Sequence, residues 1–295
     1  MVMAGKTPLM LVQLKRQPNG DAGTMTRPRT MSVGAGQAFD SLEGPAITQR
    51  IATAKAVGDR WELSMVPQNA SDELTVLTMR FDLRGKALLG WKGAQLDEVP
   101  IERTAAGAKL PASWEKGRVY YVEVDHPTNA ELAGMFNADQ ADRAPGPGGI
   151  DWVKMASRDK SRRARTKVLL DAGALASGED YFHAAFIFQH GDDPSSYLLA
   201  HVLATTAVAR GRRDAAWIAA ATLDRYLQAI GQKQVYGTQY KTPHDGPTTQ
   251  EPYDRTLISD DLRKVVGVGS QAEQEKRRAD LEALSAADKA LTKKP

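Results

Sequence analysis

Polar side chains that can do chemistry are concentrated in one part of the chain, between residues 180 and 240. They lie among small and aromatic apolar residues that recur at helical spacing, so they are expected beside a core. Imidazole, carboxylate, guanidinium, amide and phenol groups together can transfer protons and orient a polar substrate. This stretch therefore predicts a functional site, and its candidate residues are Gln189, His190, Asp224, Arg225, Gln234, Tyr236 and Gln239.

His190 is the candidate general acid or base. It ends a predicted helix that Gly191 closes, and Asp192 and Asp193 follow it directly. A histidine at such a position can exchange a proton with a substrate or clamp a charged ligand. The alternative is that its ring caps backbone carbonyls while the two aspartates cap the next helix.

Asp224 is predicted to point into the protein, because it lies seven residues after Trp217 on the same face of a predicted helix. A buried carboxylate is costly unless it is paired. We expect its partner to be Arg162 or Arg163, which interrupt the apolar stripe of an earlier helix. Two alternatives stay open: a catalytic pairing with His190, and a salt bridge that only specifies the fold.

The segment 232–242 is predicted to be extended, with Gln234, Tyr236 and Thr238 on one face. Gly237 indicates a bulge or a close approach of the backbone, such as one to a ligand. Neutral donors and acceptors beside an aromatic ring suit an amide, a sugar or a peptide better than a phosphate. The alternative is a hairpin that side-chain hydrogen bonds attach to the helices.

The residue types exclude several kinds of chemistry. The chain has no cysteine, which excludes thiol nucleophiles, disulfides, iron–sulfur clusters and cysteine-based zinc sites. His183 and His190 lie seven residues apart, and a helical rise of about 10.5 Å is too long for two ligands of one metal ion. We therefore expect neither a metal site nor a cofactor.

The formal net charge of +3 is small for 295 residues and gives no electrostatic case for nucleic acid or anionic lipid. The basic run 158–167 is diluted by aspartates and lacks interleaved aromatic residues. No apolar run approaches the roughly 20 residues that span a bilayer. We expect a cytoplasmic protein, or a periplasmic one if an export signal has been removed. Its expected partner is a small molecule or a peptide, and neither nucleic acid nor membrane.

The elements that must position these residues predict an α+β fold, with a small antiparallel β unit followed by a mainly helical domain. Residues 60–124 contain short alternating runs separated by glycines, as strands do. From residue 127 the apolar period is helical, which predicts an antiparallel bundle or helical hairpins with helices at 130–143, 151–171, 179–190, 195–210 and 213–230. The expected divisions are a flexible lead-in, a small β-rich domain, a helical domain, and a charged C-terminal helix with its tail, at 1–36, 37–126, 127–267 and 268–295.

Four short motifs, taken in order, resemble a known bacterial family. They are a DQ…R element at residues 139–143, QH at 189–190, DR at 224–225 and QxYGTQ at 234–239. Over about residues 137–281 the chain is similar to the bacterial domain-of-unknown-function 6624 family. The resemblance implies a helical domain whose shared polar residues form a site, and it adds Asp139 and Arg143 to the candidates. It implies no particular reaction.

The expected function is that of a hydrolase or transferase without a redox cofactor, acting on a polar amide, peptide or sugar substrate. His190 would be the acid or base and Asp224 its electrostatic partner. The expected substrate-binding residues are Gln189, Arg225, Gln234, Tyr236, Gln239, Asp139 and Arg143. The alternatives are a non-catalytic module that binds a peptide or protein through the same face, and a purely structural helical scaffold.

Overall fold

The computed structural model describes residues 1–15, 21–33, 38–67, 74–81, 85–93, 98–122, 124, 126–144, 150–243 and 245–292. The chain forms two compact units, Met1–Asp125 and His126–Pro295. We call them the β unit and the helical unit. Each has its own cluster of buried apolar side chains.

The β unit is one antiparallel sheet whose first eight strands neighbour each other in chain order. Met1 and Glu102 exchange both backbone hydrogen bonds, at 2.7 and 2.9 Å, so the chain after the eighth strand meets the start of the first. The sheet is therefore nearly closed and barrel-like. Its strands are β1 Val2–Ala4, β2 Thr7–Lys15, β3 Asp21–Val33, β4 Ala38–Val57, β5 Arg60–Met65, β6 Val76–Phe81, β7 Ala87–Trp91, β8 Val99–Ile101 and β9 Tyr120–Tyr121, which pairs with β4.

The core of the β unit comes from the alternate residues of short strands. Leu63 and Met65 of β5, Leu77 of β6 and Leu89 of β7 are almost fully buried. Burial of each such side chain contributes about 1.5–3 kcal/mol. Their pairing registers place Leu63 opposite Leu77, so neighbouring strands bury the same face of the sheet.

The expectation of a small β unit with a loose lead-in is wrong, because residues 1–36 supply β1, β2 and β3. The sequence of β3 hides its strand character. Met25 is buried, but its neighbours Thr24 and Thr26 are polar, and the register shifts near Pro28. Backbone hydrogen bonds hold this strand to both of its neighbours. Because such bonds do not depend on the side chains, they produce no apolar periodicity in the sequence.

The helical unit contains the helices α1 Ala130–Asp142, α2 Trp152–Asp171, α3 Gly178–Phe188, α4 Pro194–Ala209, α5 Ala215–Ala229, α6 Asp260–Val265 and α7 Gln271–Thr292. The first five begin and end within two residues of the predicted bounds. α4 packs between α3 and α5, and buried alanines such as Ala185, Ala200 and Ala204 allow these helices to approach closely. Within the described residues, no helix has both the length and the apolar character needed to cross a membrane.

The start of α3 is fixed to the start of α1 through Asp180. Ser177 and Asp180 form a reciprocal capping box at the first turn of α3. The fully buried carboxylate of Asp180 also accepts the backbone N–H of Asn129, at 2.7 Å, and that of Ala176, at 3.1 Å. Asn129 is the N-cap residue of α1. One side chain therefore sets where two helices begin.

Replacing Asp180 by alanine is expected to destabilise the helical unit by about 3 kcal/mol, because several buried N–H donors lose their acceptor. Urea unfolding followed by circular dichroism measures the change. Ser195→Ala, at an exposed position of α4, is the control and should shift stability by less than about 0.5 kcal/mol. Equal effects of the two substitutions would contradict the role given to Asp180.

Candidate functional site

A cluster of buried opposite charges joins the C-terminal end of α1 to the middle of α2. Arg143, the C-cap residue of α1, contacts Asp139 at 2.8 Å and Asp159 of α2 at 2.6 Å. Arg162 of α2 contacts Asp159 at 3.0 Å and also pairs with Asp142. The side chains of Asp139 and Asp159 are only 1% and 7% exposed, so these carboxylates depend on the arginines for compensation.

His190 lies beside this cluster, just beyond the end of α3. Its Nε2 atom is 3.6 Å from Oδ2 of Asp139. Nε2 is buried and has no hydrogen-bond partner among the described residues. The side chain of His190 as a whole is 20% exposed. Arg163 donates to the backbone carbonyl of His190 and so holds this end of α3 against α2.

Asp224 holds the segment that contains the QxYGTQ motif, residues 234–239, which we call the closing segment. The carboxylate is fully buried. Its Oδ1 accepts the backbone N–H groups of Val235 and Tyr236 at 2.7 and 3.0 Å. Its Oδ2 accepts the N–H and the hydroxyl of Thr238 at 2.9 and 2.8 Å. The closing segment wraps around this one side chain.

The expected pairing of Asp224 with Arg162 or Arg163 is wrong. Arg162 binds the aspartates of α1 and α2, and Arg163 reaches the end of α3. Three N–H groups and a hydroxyl satisfy a buried carboxylate as an arginine would. The carboxylate beside His190 is that of Asp139.

Arg225, the next residue along α5, connects the other candidates. Its Nη1 donates to the backbone carbonyl of Gln189 at 2.7 Å, and its Nε donates to Oε1 of Gln239 at 3.1 Å. The guanidinium carbon is 5.8 Å from the centre of the Tyr197 ring. Among the described residues no carboxylate pairs with Arg225, and burial lowers the pKa of its guanidinium.

Gln234 and Gln239 hold each other inside the closing segment. Gln234 is fully buried, and its Oε1 accepts the backbone N–H of Gln239 at 2.8 Å. Its Nε2 donates to the carbonyls of Gln239, at 3.0 Å, and Gln250. The predicted extended face of Gln234, Tyr236 and Thr238 is therefore not formed, because Gln234 turns inward while Tyr236 stays partly exposed. Side-chain hydrogen bonds attach the segment to the helical unit, as the alternative interpretation predicts.

Gly237 makes a close approach to the protein itself. Its φ angle is +77°, a conformation that favours glycine. A Cβ atom there would lie 2.3 Å from Oε1 of Gln274 and 2.6 Å from Cζ of Tyr253. Both side chains also donate to the carbonyl of Tyr236, at 2.8 and 3.3 Å. The absence of a side chain at Gly237 thus lets α7 and residue 253 pack on the closing segment.

A second histidine, His183, belongs to a different environment on α3. Its Nε2 lies 3.0 Å from Oε1 of Glu179, and its ring stacks on Phe136 with 4.2 Å between ring centres. Burial lowers the pKa of His183, so the ring is neutral at pH 7. Among the described residues, no three acidic or histidine side chains are grouped as metal ligands would be.

The candidates thus form two connected groups. Asp139, Arg143 and His190 lie at the ends of α1 and α3, and Arg225 links them, through Gln189, to the closing segment. The sequence reasoning did not assign Asp142 and Asp159 to the site. The signal was present, because Asp159, Arg162 and Thr166 occupy the same face of α2 as its apolar residues and are all buried.

Replacing Asp224 by asparagine is expected to loosen the closing segment. One carboxylate oxygen becomes an amide that cannot accept the N–H groups now bound to it, at a cost of about 2–3 kcal/mol. Hydrogen exchange of the backbone amides 235–238 measures the effect. Thr238→Val removes only the hydroxyl contact and should cost about 1 kcal/mol. Unchanged exchange in Asp224→Asn would contradict the anchoring role.

Acid is expected to destabilise the cluster between α1 and α2. The hydrogen bond from Arg162 lowers the pKa of Asp142. A carboxyl whose folded pKa is depressed contributes stability above its unfolded pKa, and that contribution is lost as pH falls through the folded value. Unfolding free energy should therefore drop below about pH 4. Asp142→Asn should lower stability at pH 7 and reduce this drop, and an identical pH profile in the variant would refute the assignment.

Comparison with known proteins gives no significant match, whether with family models, with curated protein sequences or with solved structures. The resemblance of the four motifs to the bacterial family stays a prediction. The site is thus defined by its geometry: an accessible histidine beside a buried, arginine-bound aspartate, and a half-buried arginine that no carboxylate neutralises among the described residues.

Proposed function

We propose that the helical unit is a hydrolase or transferase that needs no redox cofactor and acts on a polar amide, peptide or sugar substrate. His190 is its general acid and base, and Asp139 orients the imidazole. Arg225 positions the substrate. The observation that carries the proposal is the placement of the buried Nε2 of His190 against the carboxylate of Asp139.

Asp139 fixes the protonation pattern of the ring. A carboxylate facing Nε2 favours the tautomer that carries its proton on Nε2, which leaves the lone pair of Nδ1 free to accept one. The distance of 3.6 Å is slightly longer than a hydrogen bond. Catalytic hydrogen bonds often shorten when substrate binds. Arg143 and Gln140 contact Asp139 at 2.8 Å each, so the carboxylate stays in place while the histidine works.

The reaction step assigned to His190 is a proton transfer at Nδ1. The ring takes a proton from an attacking hydroxyl or water as that oxygen bonds to the substrate carbon, and it then gives the proton to the leaving group. The imidazolium formed between the two events is stabilised by the negative charge of Asp139. Protons and electron pairs balance within the substrate and the imidazole, so the step requires no oxidant or reductant.

Arg225 supplies hydrogen-bond donors to the substrate. A guanidinium has five N–H groups, and contacts within the protein use Nε and Nη1 of Arg225. Nη2 has no partner among the described residues. It is suited to a carbonyl or carboxylate oxygen, which would also compensate the charge of the arginine. An amide, a peptide or an acidic sugar offers such an oxygen.

The alternative function is a non-catalytic module that binds a peptide or protein through the same face. The observation that favours it is that the side chains of Asp224 and Gln234 hydrogen-bond to the backbone of the closing segment and do not point outward to a substrate. A rigid segment of this kind suits recognition as well as catalysis. The two proposals differ in what His190 does, because a binding face tolerates the loss of a proton-transferring group.

His190→Gln is expected to lower turnover by about a hundredfold or more, because glutamine cannot exchange protons near neutral pH. The substrates are nitroanilide amides, nitrophenyl esters and nitrophenyl glycosides, and the readout is release of the chromophore. His201→Gln is the matched control, since among the described residues the one hydrogen bond of that ring is with the carbonyl of Ala219. Asp139→Asn should also reduce kcat, with a changed pH profile.

Turnover in His190→Gln equal to that of the unaltered protein would overturn the catalytic role. If no substrate of the three classes reacts, while isothermal titration with the same compounds shows binding that His190→Gln retains, the recognition module replaces the enzyme.

A further inference from the structure

Two side chains of α5 carry hydrogen-bond donors that lack an acceptor. Nη2 of Arg225 has no partner in the part of the chain that the structure describes. Gln228 follows three residues later, and its Nε2 atom is buried with no hydrogen-bond partner among the described residues. Residues three apart on a helix are neighbours, with Cβ atoms about 5–6 Å apart. The two donors therefore project from the same side of α5.

The charge of Arg225 is uncompensated as well. Burial lowers the pKa of its guanidinium, and the positive charge of Arg143 lowers that pKa further. Arg143 is itself paired with Asp139 and Asp159, whereas Arg225 has no carboxylate partner among the residues whose structure is described. A partly buried cation beside a second cation costs free energy unless an anion lies near it. The arrangement thus favours a negatively charged ligand.

The types of donor indicate that this anion is a carboxylate. The guanidinium nitrogen of Arg225 and the amide nitrogen of Gln228 donate hydrogen bonds and accept none. An ionised carboxylate only accepts hydrogen bonds, and each of its two oxygens can take one of these donors. Its single negative charge equals the unpaired positive charge of Arg225, whereas a phosphate group carries close to two negative charges. A carboxylate therefore matches both the donors and the charge.

These donors lie close to His190. Nη1 of Arg225 binds the carbonyl of Gln189 at 2.7 Å, and that carbonyl belongs to the peptide group that leads into His190. Asp139 faces Nε2 of His190. Asp139 is bound by Arg143, the residue whose charge acts on Arg225. In an N-acyl amino acid, three bonds separate the acyl carbon from the carboxylate carbon, a distance of about 3–4 Å. A ligand of this size can contact Arg225 and His190 together.

We propose that the ligand of this site is an amide with a carboxylate next to its nitrogen, either an N-acyl amino acid or the C-terminal end of a peptide. Arg225 and Gln228 bind the carboxylate, and the amide carbonyl lies beside His190. The reaction rests on the function proposed above, whereas the binding of the carboxylate can be tested without it.

The reaction is hydrolysis of the amide. The oxygen of a water molecule bonds to the acyl carbon, and the bond between that carbon and nitrogen breaks. His190 transfers one proton from the water to the departing nitrogen. The products are a carboxylic acid and an amino acid, so the step needs no other reactant.

Binding is measured in the His190→Gln variant, which keeps the carboxylate-binding residues and lacks the proton-transferring group. The probes are the N-benzoyl derivatives of glycine, leucine and lysine, each paired with its neutral carboxamide, and isothermal titration gives the dissociation constants. At least one carboxylate is expected to bind about tenfold or more tightly than its carboxamide, because hydrogen bonds between charged partners are the stronger ones. Equal binding within every pair, or no saturation at about 10 mM, would refute the assignment.

Gln228→Glu, added to the same variant, tests the site without removing a contact of Arg225. The introduced carboxylate pairs with Arg225 and repels the ligand. Binding of the carboxylate probe should fall about tenfold or more, while binding of its carboxamide stays the same. Arg213→Met, at an exposed position, is the control and should change neither. Carboxylate binding that Gln228→Glu leaves intact would overturn the proposal.

Arg225→Met should show the same selective loss of carboxylate binding. This substitution also removes the hydrogen bonds to Gln189 and Gln239, so circular dichroism checks that the variant folds. If it does not fold, the result with Gln228→Glu decides.

Release of benzoate from the same probes by the unaltered protein separates this proposal from the enzyme function. Hydrolysis that depends on His190 but proceeds equally with carboxylates and carboxamides refutes the carboxylate site and supports the enzyme. Carboxylate-selective binding without release of benzoate supports the site and contradicts the hydrolysis of these amides.

Discussion

The arrangement of the helical unit depends on the compensation of buried carboxylates. Asp139 and Asp159 lie almost out of contact with water, where an unpaired charge would be strongly unfavourable. Arg143 forms ion pairs with both carboxylates, and these contacts attach the end of α1 to the middle of α2. The same contact leaves one oxygen of Asp139 turned toward His190. The carboxylate of Asp139 thus takes part both in the ion pairs that join α1 to α2 and in the contact with His190.

A second buried carboxylate, Asp224, organises the other half of the site by a different means. Its compensation comes from backbone N–H groups, so it shapes the closing segment instead of joining two helices. Arg225 follows it in the chain and points its donors to Gln189 and Gln239. Adjacent positions on α5 therefore serve separate tasks: the aspartate fixes the backbone of the segment, and the arginine connects that segment to the end of α3 beside the histidine.

The first five helices and the presence of an antiparallel β unit were predictable from the sequence, whereas the size of the sheet was not. Apolar residues at helical spacing and the glycines after α4 and α5 define local structure, which depends on residues close in the chain. Strand β3 has few apolar residues and is held by pairing with β2 and β4, so its strand character depends on distant residues. The partner of Asp224 was missed for a similar reason. The position of Asp224 in the sequence shows that a buried carboxylate needs hydrogen-bond donors or a cation. Only the folded structure shows which donors lie close to it. The resemblance of the motifs pointed to Asp139 and Arg143, yet their contact with Asp159 required the packing of α1 on α2.

The tight contact at Gly237 has a consequence for how this protein can change over evolutionary time. Any larger residue there meets Gln274 and Tyr253, whose positions are in turn fixed by their bonds to the carbonyl of Tyr236. Drift at one of these three places is thus permitted only with matching drift at the others. Residues 237, 253 and 274 are far apart along the chain but should change together in evolution. α7 should therefore diverge no faster than the QxYGTQ motif that it covers.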